Sequence, residues 1–240
     1  MIPMRARDPR IRCARRRRAW GRASGCLLAA IFSLSSPAQG QSRSPSLESL
    51  LIALQAKYAR VRTLTADFVQ LYTAAGSPPR REEGTVVLAR PRRMRWHYHR
   101  PEEKFFISDG ARVYLYVPAE RQVIRAKIRE AEDTRAAFAL LLGELDLRRL
   151  FARIERINSP PPLQAGNIVL RFIPKEARLG FSELIVEIVP TSLHIVRVSI
   201  RELDGARSDF LFSNIRENVP IPRSAFVLTI PPGVQVLDAQ

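Results

Sequence analysis

From Arg93 to His99, Met94, Trp96 and Tyr98 alternate strictly with Arg93, Arg95, His97 and His99. A period of two requires an extended strand, because successive side chains leave opposite faces of the pleat. One face is greasy and the other is charged. The neighbouring sequence repeats the theme. Thr85–Ala89 reads as a strand stopped by Arg90-Pro91, and Phe105–Ser108 runs into the turn signal Asp109-Gly110. Val113–Val117 follows, then a turn at Pro118-Ala119-Glu120 and a strand over Gln122–Ile128. Short strands on tight connections predict an antiparallel meander and exclude a βαβ fold, whose crossovers need about a dozen residues or more.

Ahead of the meander, Ser46 is placed as an N-cap. Leu47, Leu50, Leu51, Leu54 and Tyr58 then recur at spacings of three and four, predicting an amphipathic helix over 46–60. Val61 to Tyr72 is rich in Val, Thr, Phe and Tyr and reads as extended. Thr134–Leu142 and Leu145–Phe151 read as helical, with Gly143 between them. After Pro160-Pro161-Pro162 the strands resume at 167–173, 182–189, 193–201, 207–213 and near 226–229, for ten or eleven in all. Several are apolar on both faces: Ile168, Leu170 and Phe172 are backed by Val169 and Ile173, and Leu184, Val186 and Ile188 by Ile185 and Val189. A sheet wetted on one side alternates more cleanly. A strongly curved sheet, with helices laid across its concave side as a lid over an apolar hollow, accounts for the pattern. The predicted class is mainly β with an α lid.

Charge bears on location more than on fold. The formal net charge is +16, and residues 1–40 hold nine of the 39 basic groups and one of the 23 acidic ones. Half of the excess therefore lies in a segment with the three parts of a secretory signal. Arg15–Arg18 is a positive n-region, Gly25–Leu34 an apolar run too short to span a bilayer, and Ala38-Gln39-Gly40 a small-x-small cleavage site. The alternatives are an Arg-rich cytosolic tail or a start codon placed too far upstream. On the export reading, 1–40 is removed after Gly40 and 41–240 is a single periplasmic domain. Cys13 and Cys26 leave with the signal. Cys26 opens the apolar run rather than following it, so it is a poor lipidation site, and a core without disulfides must hold the fold.

Chemistry is hard to find. His97 and His99 share a strand face and could pair on a metal, but Arg93 and Arg95 share that face and repel a cation. Ser108-Asp109-Gly110 is a turn before it is a nucleophile, and no G-x-S-x-G or phosphate-cradling motif occurs. Glu82-Glu83 is read into a hairpin loop. On strand 92–100 the arginines and aromatics lie on opposite faces, which with export argues against nucleic acid; the basic face is read as solvated, or as meeting acidic headgroups or an acidic partner. No enzyme, metal or cofactor is expected.

Phe68-Val69-Gln70, Arg90-Pro91, Trp96, Pro101, Ser108-Asp109-Gly110 and Tyr116-x-Pro118 occur in the order and spacing of the LolA family. Phe226-x-Leu228-Thr229-x-Pro231-Pro232-Gly233-Val234 is similar to that family's closing segment. The resemblance covers about 47–238. It implies a half-open antiparallel β-barrel with a helical lid that takes lipoproteins from an inner-membrane ABC-type complex. The acyl chains are shielded and handed to an outer-membrane receptor. It also implies that Arg90 is the arginine whose bonds to the lid hold the empty cavity closed. Met94 stands where the family often has a bulky aromatic. Phe68, Met94, Trp96, Phe138, Leu141 and Leu142 are the expected lining or lid, with plain core packing as the alternative for each. A monomer is expected. Two other readings are a related half-barrel carrying another envelope lipid and a periplasmic lipid-sensing regulator.

Overall fold

The computed structural model describes residues 45–127, 141 and 146–239. The first element, α1 (Leu47–Arg60), starts where Ser46 Oγ accepts from Ser49 N at 3.1 Å. It buries Leu50, Leu51, Leu54 and Tyr58, the stripe predicted from spacing. Six strands follow: β1 (Thr63–Thr73), β2 (Arg80–Ala89), β3 (Arg93–Arg100), β4 (Lys104–Asp109), β5 (Arg112–Val117) and β6 (Gln122–Lys127). A one-turn helix α2 (Leu147–Leu150) leads into β7 (Phe151–Arg156), β8 (Ile168–Pro174), β9 (Phe181–Ile188), β10 (Ile195–Glu202) and β11 (Arg207–Glu217). A short β12 (Gln235–Asp238) ends the chain.

Among the described residues all twelve strands join one open, curved sheet, ordered β12-β6-β5-β4-β3-β2-β1-β11-β10-β9-β8-β7. This is the half-open barrel. The two meanders, β1–β6 and β7–β11, are joined where β1 pairs antiparallel with β11, Phe68 facing Phe212 and Gln70 facing Phe210. The passage from β6 to β7 runs from the strand next to one edge of the sheet to the opposite edge, and much of it lies outside the described residues.

Three expectations need correction. Helix is expected up to Phe151, but it stops at Leu150 and Phe151 opens β7. Asp146 caps this turn through Arg148 N and Arg149 N. Beyond it the ladder with β8, together with the Phe151 ring set edge-on to Phe172 at 5.1 Å, favours extended chain. No strand forms at 226–229. Phe226 instead ends a 3-10 turn (Arg223–Phe226) and is buried against the outer face of β3 and β4, with the Arg93 guanidinium 5.5 Å from its ring centre. A side chain docks this segment where a ladder was expected. The last strand comes later, and β12 runs parallel to β6, so the sheet is not wholly antiparallel. Asp238 holds it there through a two-point contact with Arg125, at 2.7 and 2.9 Å.

The strands that are apolar on both faces have two covers. Leu170, Phe172, Leu184, Val186 and Ile188 join the concave core, while Val169 and Ile185 are buried on the other side. There the Pro-rich loop at 158–167 is tied down by a buried ion pair, Arg197 to Glu187 at 2.8 Å. Glu187 accepts from Leu163 N and Asn167 Nδ2, and Arg197 donates to Pro161 O. A charge this deep is tolerated only with such partners.

Candidate functional site: an apolar hollow on the concave face

Inner-face residues of β1, β2 and β3 (Leu64, Ala66, Phe68, Val86, Leu88, Met94 and Trp96) share one buried cluster with the apolar stripe of α1. The helix therefore lies across the concave side, as the curved-sheet reading predicts. Polar contacts also anchor its second half. Tyr58 Oη accepts from Ile195 N at 2.9 Å, and Lys57 Nζ pairs with Glu217 at 2.8 Å. Burial pushes the Tyr58 phenol well above its ordinary pKa, more than the Ile195 bond lowers it, so it stays neutral.

Farther along the same strands the packing gives way to a cavity of about 410 Å³. That size is within the usual range for small-molecule sites, about 300–1,000 Å³. Trp96, Phe106, Leu115, Ile200 and Phe210 form its apolar wall, and Gln70, Tyr72, Arg80, Glu82, Tyr98 and Lys104 bring polar atoms to it. The wall is stiff. Phe68 meets Trp96 and Tyr98 edge-on, both at 4.9 Å, and Trp96 meets Phe210 at 5.3 Å. Such pairs add roughly 0.5–1.5 kcal/mol each beyond their buried area. Gly84 makes the arrangement possible. A Cβ there would stand 2.1 Å from His97 O and 2.9 Å from Phe68 Cε1, so no other residue lets β2 pass so close to β3 beneath the Phe68 ring.

Arg90 sits at the end of β2, where the guanidinium donates to Tyr58 O at 2.9 Å and Ala59 O at 3.1 Å. Those are last-turn carbonyls of α1, where Tyr58 O also accepts from Val61 N, and the negative end of the helix dipole there favours a cation. The side chain thus ties the sheet to the helix lying across it.

The sequence-predicted residues separate into groups. Trp96 lines the cavity. Phe68 lies directly behind it, while Met94 and Leu141 are buried in the core cluster shared with α1. Phe138 and Leu142 fall outside the described residues, as does most of the helical insertion. Sequence reading missed Phe106, Leu115, Ile200 and Phe210, which reach the cavity from other strands. It also placed Glu82 in a loop. Glu82 is instead inside β2 on the inner face, 7% exposed, with Lys104 Nζ 2.6 Å from its Oε1. A strict period of two back from Val86 through Gly84 would have put Glu82 on that face.

The outer face of β3 is less plainly solvated than its own alternation implies. The neighbouring strand contributes Phe105, stacked on His97 at 4.1 Å and lying under Arg95 at 4.9 Å. His97 also bonds Glu103 at 2.9 Å. Among the described residues no cluster of His, Cys, Asp and Glu is arranged to hold a metal ion.

The family model for the outer membrane lipoprotein carrier protein LolA matches residues 59–229, from the end of α1 to just past the Phe226 turn. The chain belongs to the LolA family. It is 34% identical over 185 residues to an outer-membrane lipoprotein carrier protein of Bordetella avium, covering 77% of this chain and 85% of that one. A second relative of the same name, from Methylobacillus flagellatus, is 27% identical over 186 residues, with 77% and 87% covered. Among solved structures, an uncharacterized conserved protein from Thermus thermophilus superposes with a TM-score of 0.51 at 13% identity. It covers 81% of this chain and all of that one, a likeness of fold alone. The LolA match takes in Arg90, the cavity wall and the outer-face Phe226 anchor together.

Proposed function

We propose that this LolA-family protein is a periplasmic carrier, not an enzyme, that shields the acyl chains of lipoproteins and moves them from the inner to the outer membrane. The observation that carries the reading is the concave face itself, a half-barrel wall of packed aromatics around a 410 Å³ hollow with an amphipathic helix across the same side. Each CH₂ moved from water into such a wall gains about 0.8 kcal/mol, so acyl chains require a host of this kind to cross an aqueous space. Residues 1–40 act as a secretory signal cut after Gly40, and 41–240 is the working domain. Among the described residues no helix is long and apolar enough to cross a membrane.

In this reading Arg90 is the latch that ties α1 to the sheet beside the empty hollow, and Phe138, Leu141 and Leu142 belong to the cover. Cargo arrives from an inner-membrane ABC-type lipoprotein-releasing complex and leaves to an outer-membrane receptor. The test is purification of the exported protein followed by mass spectrometry of what it carries, with uptake from inner-membrane vesicles measured in parallel. Recovery of acylated lipoproteins and vesicle uptake are expected. A protein that carries no lipid and extracts none refutes the carrier role.

A further inference from the structure

The concave wall carries a charge pair for which a plain acyl sleeve has no use. Gln70 and Glu82 face each other across β1 and β2, and Tyr98 and Lys104 across β3 and β4. A register shift between Glu83 and Gly84 lies between the two pairs. In this arrangement Lys104 Nζ bonds Glu82 Oε1 at 2.6 Å, and the Tyr98 hydroxyl donates to Gln70 Oε1 at 2.8 Å. The ammonium also sits 4.4 Å from the centre of the Tyr98 ring. Four polar side chains from four adjacent strands thus form a band across the cavity wall, beside the apolar surface of Trp96, Phe106 and Phe210.

Such a band is costly to build. The Glu82 side chain is 9% exposed and that of Lys104 22%, so both charges give up most of their water. A pair of leucines at these positions would avoid that loss, and replacing buried ion pairs by apolar residues commonly leaves a fold as stable or more so. Sheet stability alone therefore does not account for the pair, and a hydrocarbon tail gains nothing from it. A carbonyl oxygen does. An ammonium has three N–H donors, of which Glu82 Oε1 takes one. The Tyr98 phenol is held neutral, its pKa pushed upward by burial and by the Glu82 charge; its one proton goes to Gln70 Oε1, which leaves the two N–H of the Gln70 amide as further donors.

We propose that Gln70, Glu82, Tyr98 and Lys104 form a polar collar that binds the ester and amide carbonyls joining acyl chains to their polar head, and so sets how deep the chains enter. The inference rests on the carrier reading above. The same carbonyls occur in an acylated peptide and in a diacyl phospholipid, and the test separates these sources.

Purified exported protein is titrated with three probes: diphenylhexatriene, a hydrocarbon without polar atoms; a peptide bearing an amide-linked palmitoyl chain; and a diacyl phospholipid. Displacement of diphenylhexatriene fluorescence reports the second and third. The double variant Glu82→Leu/Lys104→Leu removes both charges and leaves neither without its partner. Its affinity for the hydrocarbon is expected to hold or rise, because two leucines enlarge the apolar wall, while affinity for the carbonyl-bearing probes falls about tenfold relative to it, as for the loss of one or two hydrogen bonds. A loss seen with both lipids assigns the collar to acyl carbonyls of either source; a loss confined to one assigns it to that source. Equal losses for all three probes, or none for any, overturn the collar and leave the carrier standing. Failure of the wild-type protein to bind any of them overturns the carrier reading itself. If the double variant does not fold, Tyr98→Phe deletes one hydroxyl, keeps the ring, and is read against the same probes for a roughly threefold selective loss.

Discussion

Replacing Arg90 by leucine removes two hydrogen bonds from a cation to the final carbonyls of α1, at 2.9 and 3.1 Å. In a buried setting each would be worth about 1.5–3 kcal/mol. Arg90 is only partly buried, so the pair together, including its favourable placement at the helix dipole, is worth about 2 kcal/mol. The helix is also held by Leu50, Leu51, Leu54 and Tyr58, all nearly inaccessible, which supply on the order of 8 kcal/mol through apolar burial. Arg90→Leu therefore leaves the protein folded but raises the population with α1 undocked roughly 25-fold, at about 1.4 kcal/mol per factor of ten. Native-state hydrogen exchange reads this directly. Amides in the second half of α1 should exchange about 25 times faster while the core strands β9 and β10 keep their protection. Arg90→Lys, a point charge without the two-pronged geometry, should fall between. If exchange in α1 changes less than about threefold in the leucine variant, the guanidinium does not hold the helix, and the latch has to be abandoned.

Gly84→Ala places a methyl group 2.1 Å from a backbone oxygen that cannot swing aside, and it should destabilise the protein by about 3 kcal/mol in chemical denaturation; a loss under about 1 kcal/mol would mean that β2 and β3 separate easily. Arg197→Met leaves Glu187, which is fully inaccessible, without its cation, and is expected to cost about 3–4 kcal/mol while hydrocarbon binding in the folded fraction is unchanged, since the pair lies on the side away from the cavity. Burial, and then the Lys57 charge, hold the pKa of His194 below its ordinary 6.5. The unfolded chain thus takes the proton first as the medium acidifies, so the contribution of this group is complete above about pH 6.5 and is lost as pH falls through the lowered value. NMR titration should place the His194 midpoint below that of a free imidazole, and His194→Gln should flatten the decline in stability; a midpoint at or above about 6.5 would contradict this.

Much of this protein follows from residue order alone, because facing is a local property of strands and helices. Met94, Trp96 and Tyr98 must share a side of β3 whatever lies beside them, and the stripe from Leu47 to Tyr58 must seek an apolar partner. The place of Trp96 on the inner wall is legible for the same reason, and that of Arg90 at the end of its strand from the proline that follows it. What tertiary structure decided is everything that depends on which strands become neighbours. Phe106, Leu115 and Phe210 reach the hollow only because β4, β5 and β11 are placed around it, and no periodicity within one strand announces that. The face of Glu82 follows from alternation back from Val86, but its partner Lys104, 22 positions later, is found only in the folded sheet. Phe226 reads as part of a strand, but its burial against β3 and β4 outweighs ladder formation and sends the last strand to the far edge. Local pattern sets the direction of each side chain; the energy that selects its partner comes from contacts between residues far apart in the chain.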